Sequence, residues 1–401
     1  MTGNCLNRKD ANHCVRLNSL GPSGMDNICC YDKESNLIQS NEVEGGTLQR
    51  YHYLGGKSIQ PFFDNFYYDV IPFVYCCRYS KQKSKGMGTS NCHQYLRRRP
   101  RSSCLHYVPP RPALTVGDPH FTSLDGYKYS FNGVGEFVYL RTDDKSFQSQ
   151  IRLEQFRKAN GDLSEASVCT SFVSQHLNQS AVVEIRLDSA NIAEVLVNGD
   201  LINFDESLSY QFQGVFVIQS PPVTLDAGAT EKVYQVSFTS GISFQTTASS
   251  NVLNIIPVVG STLLSGHLRG LLGDFDGDLS NDLRTPSDGI LLPTSSSEEI
   301  YRNFGLLWMI SEEESLFTYK DATTYSDFQN PSFVPTFETP SDLPEDVVEV
   351  CGDDKECIFD YAVSGSQEIA TETRKGTRRF KSFLDAFALR KSRGKDQKAG
   401  L

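Results

Sequence analysis

Gly117-Asp118-Pro119-His120 gathers residues able to break their own backbone. The glycine frees the chain ahead of Asp118. The Asp118–Pro119 link is a tertiary amide, and the adjacent carboxyl can attack the carbonyl once the nitrogen is protonated or twisted. No separate protease is needed. His120 is placed to donate a proton or to orient the turn. This chemistry predicts faster cleavage in mild acid. It also predicts a cut at the domain's edge, with fragments that begin at Pro119 and stay paired. The plainer reading is a turn, a position that both Asp and Pro favour.

A second group lies in LGDFDGDLSND, residues 272–282. Asp274, Asp276, Asp278, Asn281 and Asp282 place hard oxygens around a glycine turn, which suits calcium, an ion that takes six to eight oxygens in flexible geometry. The run is no EF-hand, because it lacks the later bidentate glutamate and follows strands. The competing reading is a solvated acidic turn.

Cysteines form the third group. Of 11, eight fall in the first 104 residues: Cys5, Cys14, Cys29, Cys30, Cys76, Cys77, Cys92 and Cys104. Adjacent pairs cannot easily close on themselves, so each is expected to reach a distant partner, as in small oxidised secreted domains, with connectivity open. A zinc cluster would want C-x2-C or His-x3-His spacing, which is absent. Cys169, alone in an apolar strand, reads as a buried thiol and not a nucleophile. Asn178-Gln179-Ser180 is a glycosylation sequon at Asn178.

The elements that must carry these groups are mostly strands. From residue 113 to 290, period-two runs such as FVYLRT, AVVEIRLDS, AEVLVNGDLINF and NVLNIIPVV recur. Asn198-Gly199 signals a type I′ hairpin, and the strand spacing predicts an antiparallel β-sandwich. Helices are expected around 298–304 and 311–317, beside the single tryptophan, Trp308. The head, through Pro112, reads as loop-rich, including its aromatic run Phe62–Asp69. Phe380, Phe383, Leu384 and Phe387 have helical spacing within a basic 374–401 tail. That tail is expected to be disordered or amphipathic, with a membrane-surface or calmodulin-like role as a further reading.

The chain's net charge is −11, and the acidic body argues against nucleic-acid binding. The first residues lack the charged start and apolar core of a signal peptide, and no run reaches the roughly 18 apolar residues of a membrane span. Membrane association is therefore expected to come from segments missing from this chain.

GDPH followed by FTSLDGYKYSFNGVGEF resembles the opening of a von Willebrand factor type D domain, whose mucin-like members can self-cleave there. GLLGDFDGDLSNDL resembles the GLxGNxxGxxxxDD segment that closes such domains and binds calcium. The resemblance implies Asp274, Asp276, Asn281 and Asp282 as ligands, a main-chain carbonyl near Asp278, and Asp125 reaching in from the first strand. Leu272 stands where other members have cysteine, which removes a core disulfide. The head, with CCYD, DVIPFVYCC and C-H-Q-Y-L-x-x-R-P, resembles the AMOP domain, with Arg97–Arg101 more a solvated basic face than a convertase site. Residues 291–373 resemble the trailer of AMOP-containing mucins and sushi-domain relatives, where Cys351 and Cys357 are expected to close a loop.

The implied organisation is an AMOP module at 1–112, a type D domain at 113–290, a trailer at 291–373 and a tail at 374–401. The fold class is mainly β. The implied function is an extracellular adhesion or mucin-type protein, calcium-stabilised and cut at Asp118–Pro119, with extracellular proteins or matrix as partners. A secreted hydrolase would need a motif such as G-x-S-x-G or H-E-x-x-H, and none is present. A cytosolic scaffold would need reduced cysteines.

Overall fold

In the computed structural model, the described residues are 11, 13–16, 25–32, 37–51, 60–79, 90–101, 111–158, 160–205, 207–220, 223–224, 230–249, 251–260, 264–320 and 322–391. They divide into a unit of Met1–Pro109 with Asp385–Leu401 and a unit of Pro110–Leu384. Cys5 and Cys104 lie outside the described residues.

In the smaller unit, strands His13–Arg16, Asp26–Tyr31 and Leu48–Gln49 form an antiparallel sheet. Cys14 and Cys30 face each other across it and are bonded, and Cys29 is also in a disulfide. The aromatic run is helical and not a loop: α and π turns follow one another from Gln60–Asn65 to Val74–Arg78. Cys77–Cys92 ties this run to helix Ser90–Arg98, and Cys76 is half-buried beside Phe73, Tyr95 and Leu96. Asp69, fully buried, accepts the amides of Arg50 and Tyr51 and pairs with Arg99 at 2.5 Å. Arg99 of the basic run is thus a structural contact.

The larger unit is a β-sandwich whose two sheets, among the described residues, have seven and nine strands. Alternating side chains of both sheets meet in one core, with Phe121, Phe137, Tyr139, Phe147, Phe172 and Phe244 among its largest members. Burying such faces supplies the main driving force. At Asn198-Gly199 both residues have positive φ (52° and 86°), as the hairpin signal requires. Leu114–Val116 and His120–Thr122 form a hairpin whose three-residue turn is Gly117-Asp118-Pro119, with a trans Asp118–Pro119 bond.

Beyond residue 290 a helix spans Ser297–Asn303, capped reciprocally by Ser296 and Glu299. The second expected helix is only the 3-10 turn Glu312–Glu314. Trp308 is buried, its ring N–H on the Arg284 carbonyl. Cys351, at the end of helix Val347–Cys351, is bonded to Cys357 in the first turn of helix Lys355–Ser364.

Helix Gln367–Lys391 runs straight through position 374, where composition alone suggested a boundary and a disordered tail. The reason is packing. Phe380 is buried against Leu114, Val116 and Ile256, and Ile369 joins Val363 on Phe156, Val168 and Val252. Two helices therefore pack on residues of both sheets around the GDPH hairpin. No helix among the described residues is long and apolar enough to cross a membrane.

Candidate functional site

The Gly117-Asp118-Pro119 turn is buried. The bond does not lie at an open domain edge; the helices Lys355–Ser364 and Gln367–Lys391 sit on it. Gly117 has φ +65°, and its N–H donates to Asn254 Oδ1 at 3.2 Å. A Cβ there would collide with Thr373 Oγ1 and Asp360 Oδ2, so glycine serves both conformation and closeness.

Asp118 is fully buried. Strand pairing is irregular between Leu163 and Ser167, and there the Ser167 amide donates to Asp118 Oδ1 at 3.1 Å. Oδ2 has no partner. Burial, with the nearby Asp360 carboxylate, pushes the Asp118 carboxyl well above the usual range, against the smaller opposing pull of His120 and Ser167.

His120 bridges two elements. Nε2 lies 2.6 Å from Asp360 Oδ1 and Nδ1 lies 2.7 Å from Ser130 Oγ. Burial alone would depress its pKa, but Asp360, with Asp118 and Glu356, outweighs burial and raises it to about 9. One edge of the ring faces a cleft of about 220 Å³ lined by Ser130, Asn132, Glu356 and Phe359 among others. Of the motif, only His120 lines this cleft.

Asp360 and Thr373 were missed by motif reading. The signal available was slight: Asp360 shares the buried stripe of its helix with Cys357, Val363 and Ser364, an unusual place for a carboxylate.

The acidic loop follows strand Leu268–Arg269 on the sheet edge. Gly273 and Phe275 take positive φ, curling the chain back on itself. Oxygens of Asp125, Asp274 and Asp276 lie within 4.8 Å of one another. Four oxygens here are buried without a partner: Asp125 Oδ2, Asp274 Oδ1, Asn281 Oδ1 and Asp282 Oδ1. The other oxygens are used. Arg111 pairs with Asp125 Oδ1, Arg284 lies 3.5 Å from Asp274 Oδ2, and Ser123 donates to Asp282 Oδ2 at 2.7 Å.

Burial and the neighbouring carboxylates raise Asp282 to about 7, against the Ser123 bond, and burial chiefly raises Asp274. Asp276 accepts the Asp278 amide at 2.7 Å and the Asn281 side-chain N–H at 2.8 Å. The Asp278 side chain turns instead to Ser280, whose bonds lower its pKa. Convergent hard oxygens left unpaired at burial are costly unless a cation satisfies them, and the donor set fits calcium.

Elsewhere, Cys169 is buried and unbonded, its thiol pushed upward chiefly by burial. Asn178 is exposed in a turn at φ 58°, accessible to modification.

Three family models match the chain: the AMOP domain over residues 2–108, the von Willebrand factor type D domain over 113–289, and the Mucin-4-like C8-3 domain over 337–384. This is an AMOP and von Willebrand factor type D domain protein. Similar curated proteins include the human (Homo sapiens) Sushi domain-containing protein 2, 30% identical over 92% of this chain and 44% of its own length. Protein mesh of Bombyx mori is 28% identical over 90% of this chain and 24% of its length. Mucin-4 of Mus musculus is 27% identical over 78% of this chain and 9% of its length. The chain thus spans less than half the length of these relatives. The GDPH turn and the acidic loop fall inside the type D match, whereas Asp360 and Thr373 fall inside the C8-3 match.

Proposed function

We propose that this chain is a calcium-stabilised, self-cleaving part of an extracellular adhesion or mucin-type protein, with extracellular proteins or matrix as partners. Its AMOP and type D modules and its mucin relatives support the setting. The disulfides of Cys14–Cys30, Cys77–Cys92 and Cys351–Cys357 favour an oxidising compartment over a cytosolic scaffold.

One observation carries the cleavage reading: Asp118 Oδ2 is buried without a partner, and burial with the nearby Asp360 carboxylate favours the protonated carboxyl. Oδ2 attacks the Asp118 carbonyl carbon, the carboxyl proton passes to the Pro119 nitrogen, and the C–N bond breaks. A cyclic anhydride forms. Water entering by the His120 cleft opens it, leaving two carboxyls on Asp118 and a free imino terminus on Pro119. Protonated His120 supports the charge that develops. The new end is held in place, since the Phe131 amide donates to the Pro119 carbonyl at 3.1 Å and His120 pairs with Ser130.

Calcium would be held by Asp125, Asp274, Asp276, Asn281 and Asp282, adding positive charge to that of Arg111 and Arg284.

The test is the full chain from a secretory host, held at about pH 5.5, where imidazole carries charge. Wild type should gain an amino terminus at Pro119, and Asp118→Ala should not. If both stay whole, or both are cut alike, GDPH is only a turn.

A further inference from the structure

We propose that Asp360, delivered by the trailer helix Lys355–Ser364, is the positioning residue of the Asp118–Pro119 bond, so that the trailer sets the reactivity of a bond in its neighbour. The inference rests on the cleavage reading above. It adds a residue and a module that the GDPH motif does not contain.

The geometry is that of a clamp. Asp360 is fully buried, and its two oxygens reach both sides of the bond. Oδ2 accepts the Asp118 N–H at 3.2 Å and also the Thr373 hydroxyl from the next helix. Oδ1 lies on His120 Nε2 at 2.6 Å. Asp118 on one side of the bond, and His120 one residue beyond Pro119 on the other, are thus held by one carboxylate. Ser167 fixes Asp118 Oδ1 from the opposite sheet, which leaves Oδ2 as the oxygen free to move.

The clamp could not close on another side chain at position 117, where any Cβ would meet Asp360 and Thr373. Nor could the second helix approach without Gly376, whose Cβ would lie 2.5 Å from Val116 Cγ2 on the hairpin strand. Both glycines make room for contact between the trailer and the turn.

Asp360 also acts by charge. Its proximity disfavours ionisation of Asp118 and favours protonated His120, the two states the cleavage step uses. The other ionisable groups facing His120 are Asp118 on the turn and Glu356 and Asp354 on the trailer. Lys128, from the adjoining strand, pairs with Glu356 at 3.3 Å. Lys355 and Glu338 line the same cleft. Around Asp118 the charged neighbours are Asp360 and His120, while Ser167, Asn254 and Thr373 are neutral.

The full chain is compared with Asp360→Asn across about pH 5 to pH 8, the span over which imidazole ordinarily titrates. The rate of appearance of the Pro119 terminus is followed. Asn keeps the size and removes the charge. The expected result is a rate at neutral pH reduced about tenfold or more, the scale of a lost acid–base contribution, and a pH–rate profile moved toward acid. A profile in the wild-type position, whether at full or uniformly reduced rate, overturns the proposal, since a merely structural carboxylate would not move it.

Thr373→Val, which removes one donor to Asp360, covers the case in which Asp360→Asn does not fold. It should slow the cut severalfold, and a wild-type rate would count against the clamp. If wild type stays whole at every pH, the cleavage reading falls and takes this inference with it. If wild type is cut and the Asp360→Asn profile is unmoved, only this inference falls.

Discussion

Ser123 Oγ donates to Asp282 Oδ2 at 2.7 Å and accepts the amides of Gly126 and Tyr127, joining the turn after strand His120–Thr122 to the acidic loop. The loop that could hold a cation is thereby fastened to the turn between strands His120–Thr122 and Lys128–Ser130, which brings in Asp125 where a strand was expected to. Ser123→Ala leaves a buried carboxylate oxygen without its donor. The expected loss is about 1–3 kcal/mol in a denaturant titration. A variant as stable as wild type would show that the link is incidental.

Calcium should stabilise the wild type by mass action. An excess of about a hundredfold over Kd corresponds to roughly 2.7 kcal/mol. Asp276→Ala removes one member of the cluster, so its melting temperature should fall below wild type in calcium and differ little in chelator. Wild type melting at the same temperature with and without calcium would end the calcium reading.

In chelator, stability should also depend on pH. Asp282 rises from 3.8 to about 7 because burial and the charges of Asp125, Asp274 and Asp276 disfavour its ionised form. The folded state thus binds this proton more tightly than the unfolded chain. Its stabilising contribution is complete below about pH 4 and is lost as pH rises through about 7. Asp274 shifts in the same direction. Calcium competes for the same oxygens, so saturating calcium should flatten the melting-temperature slope between these limits. Equal slopes with calcium and with chelator would mean that protons and cation do not share a site.

What the sequence made legible was local. The strands of residues 113–290 were readable from period-two runs in the sequence, although strands such as Gly135–Thr142 and Val252–Val259 are buried almost throughout, and the Asn198-Gly199 turn follows from its need for two positive φ angles. The loop carboxylates were readable because they are close in sequence, and two of them, Asp274 and Asp276, have oxygens within 4.8 Å of each other and of Asp125. Asp278 was not separable from its neighbours, because only the folded loop decides that it bonds Ser280. The aromatic head run reads as a loop by composition, yet its exposed rings, among them Tyr67 and Tyr75, ride on helical turns whose buried side holds Asp69 and Phe73.

The partners of the GDPH turn were the least legible. Asp360 lies 240 residues from His120, and no local pattern encodes a contact made only when two trailer helices dock. Charge composition misled in the same region. The spacing of Phe380 marked a helix, but the excess of Lys and Arg after 374 gave no sign that Phe380 anchors it on Leu114 and Val116.

A matched pair of glycines separates backbone strain from crowding at the turn. Gly117 and Gly161 both have positive φ (65° and 91°), so alanine at either meets the left-handed penalty of about 1–2 kcal/mol. Around Gly161 nothing lies within 4 Å of an added Cβ, whereas at Gly117 that atom would displace Thr373 and Asp360. Gly117→Ala should therefore lose about 1–3 kcal/mol more than Gly161→Ala, the usual cost of overpacking. The measurement is chemical denaturation of both variants under one condition. Because the displaced groups also hold the Asp118 amide and His120, Gly117→Ala should slow formation of the Pro119 terminus while Gly161→Ala leaves it unchanged. Equal losses of stability in the two variants would show that the turn is strained but not crowded, and that the trailer helices do not press on it.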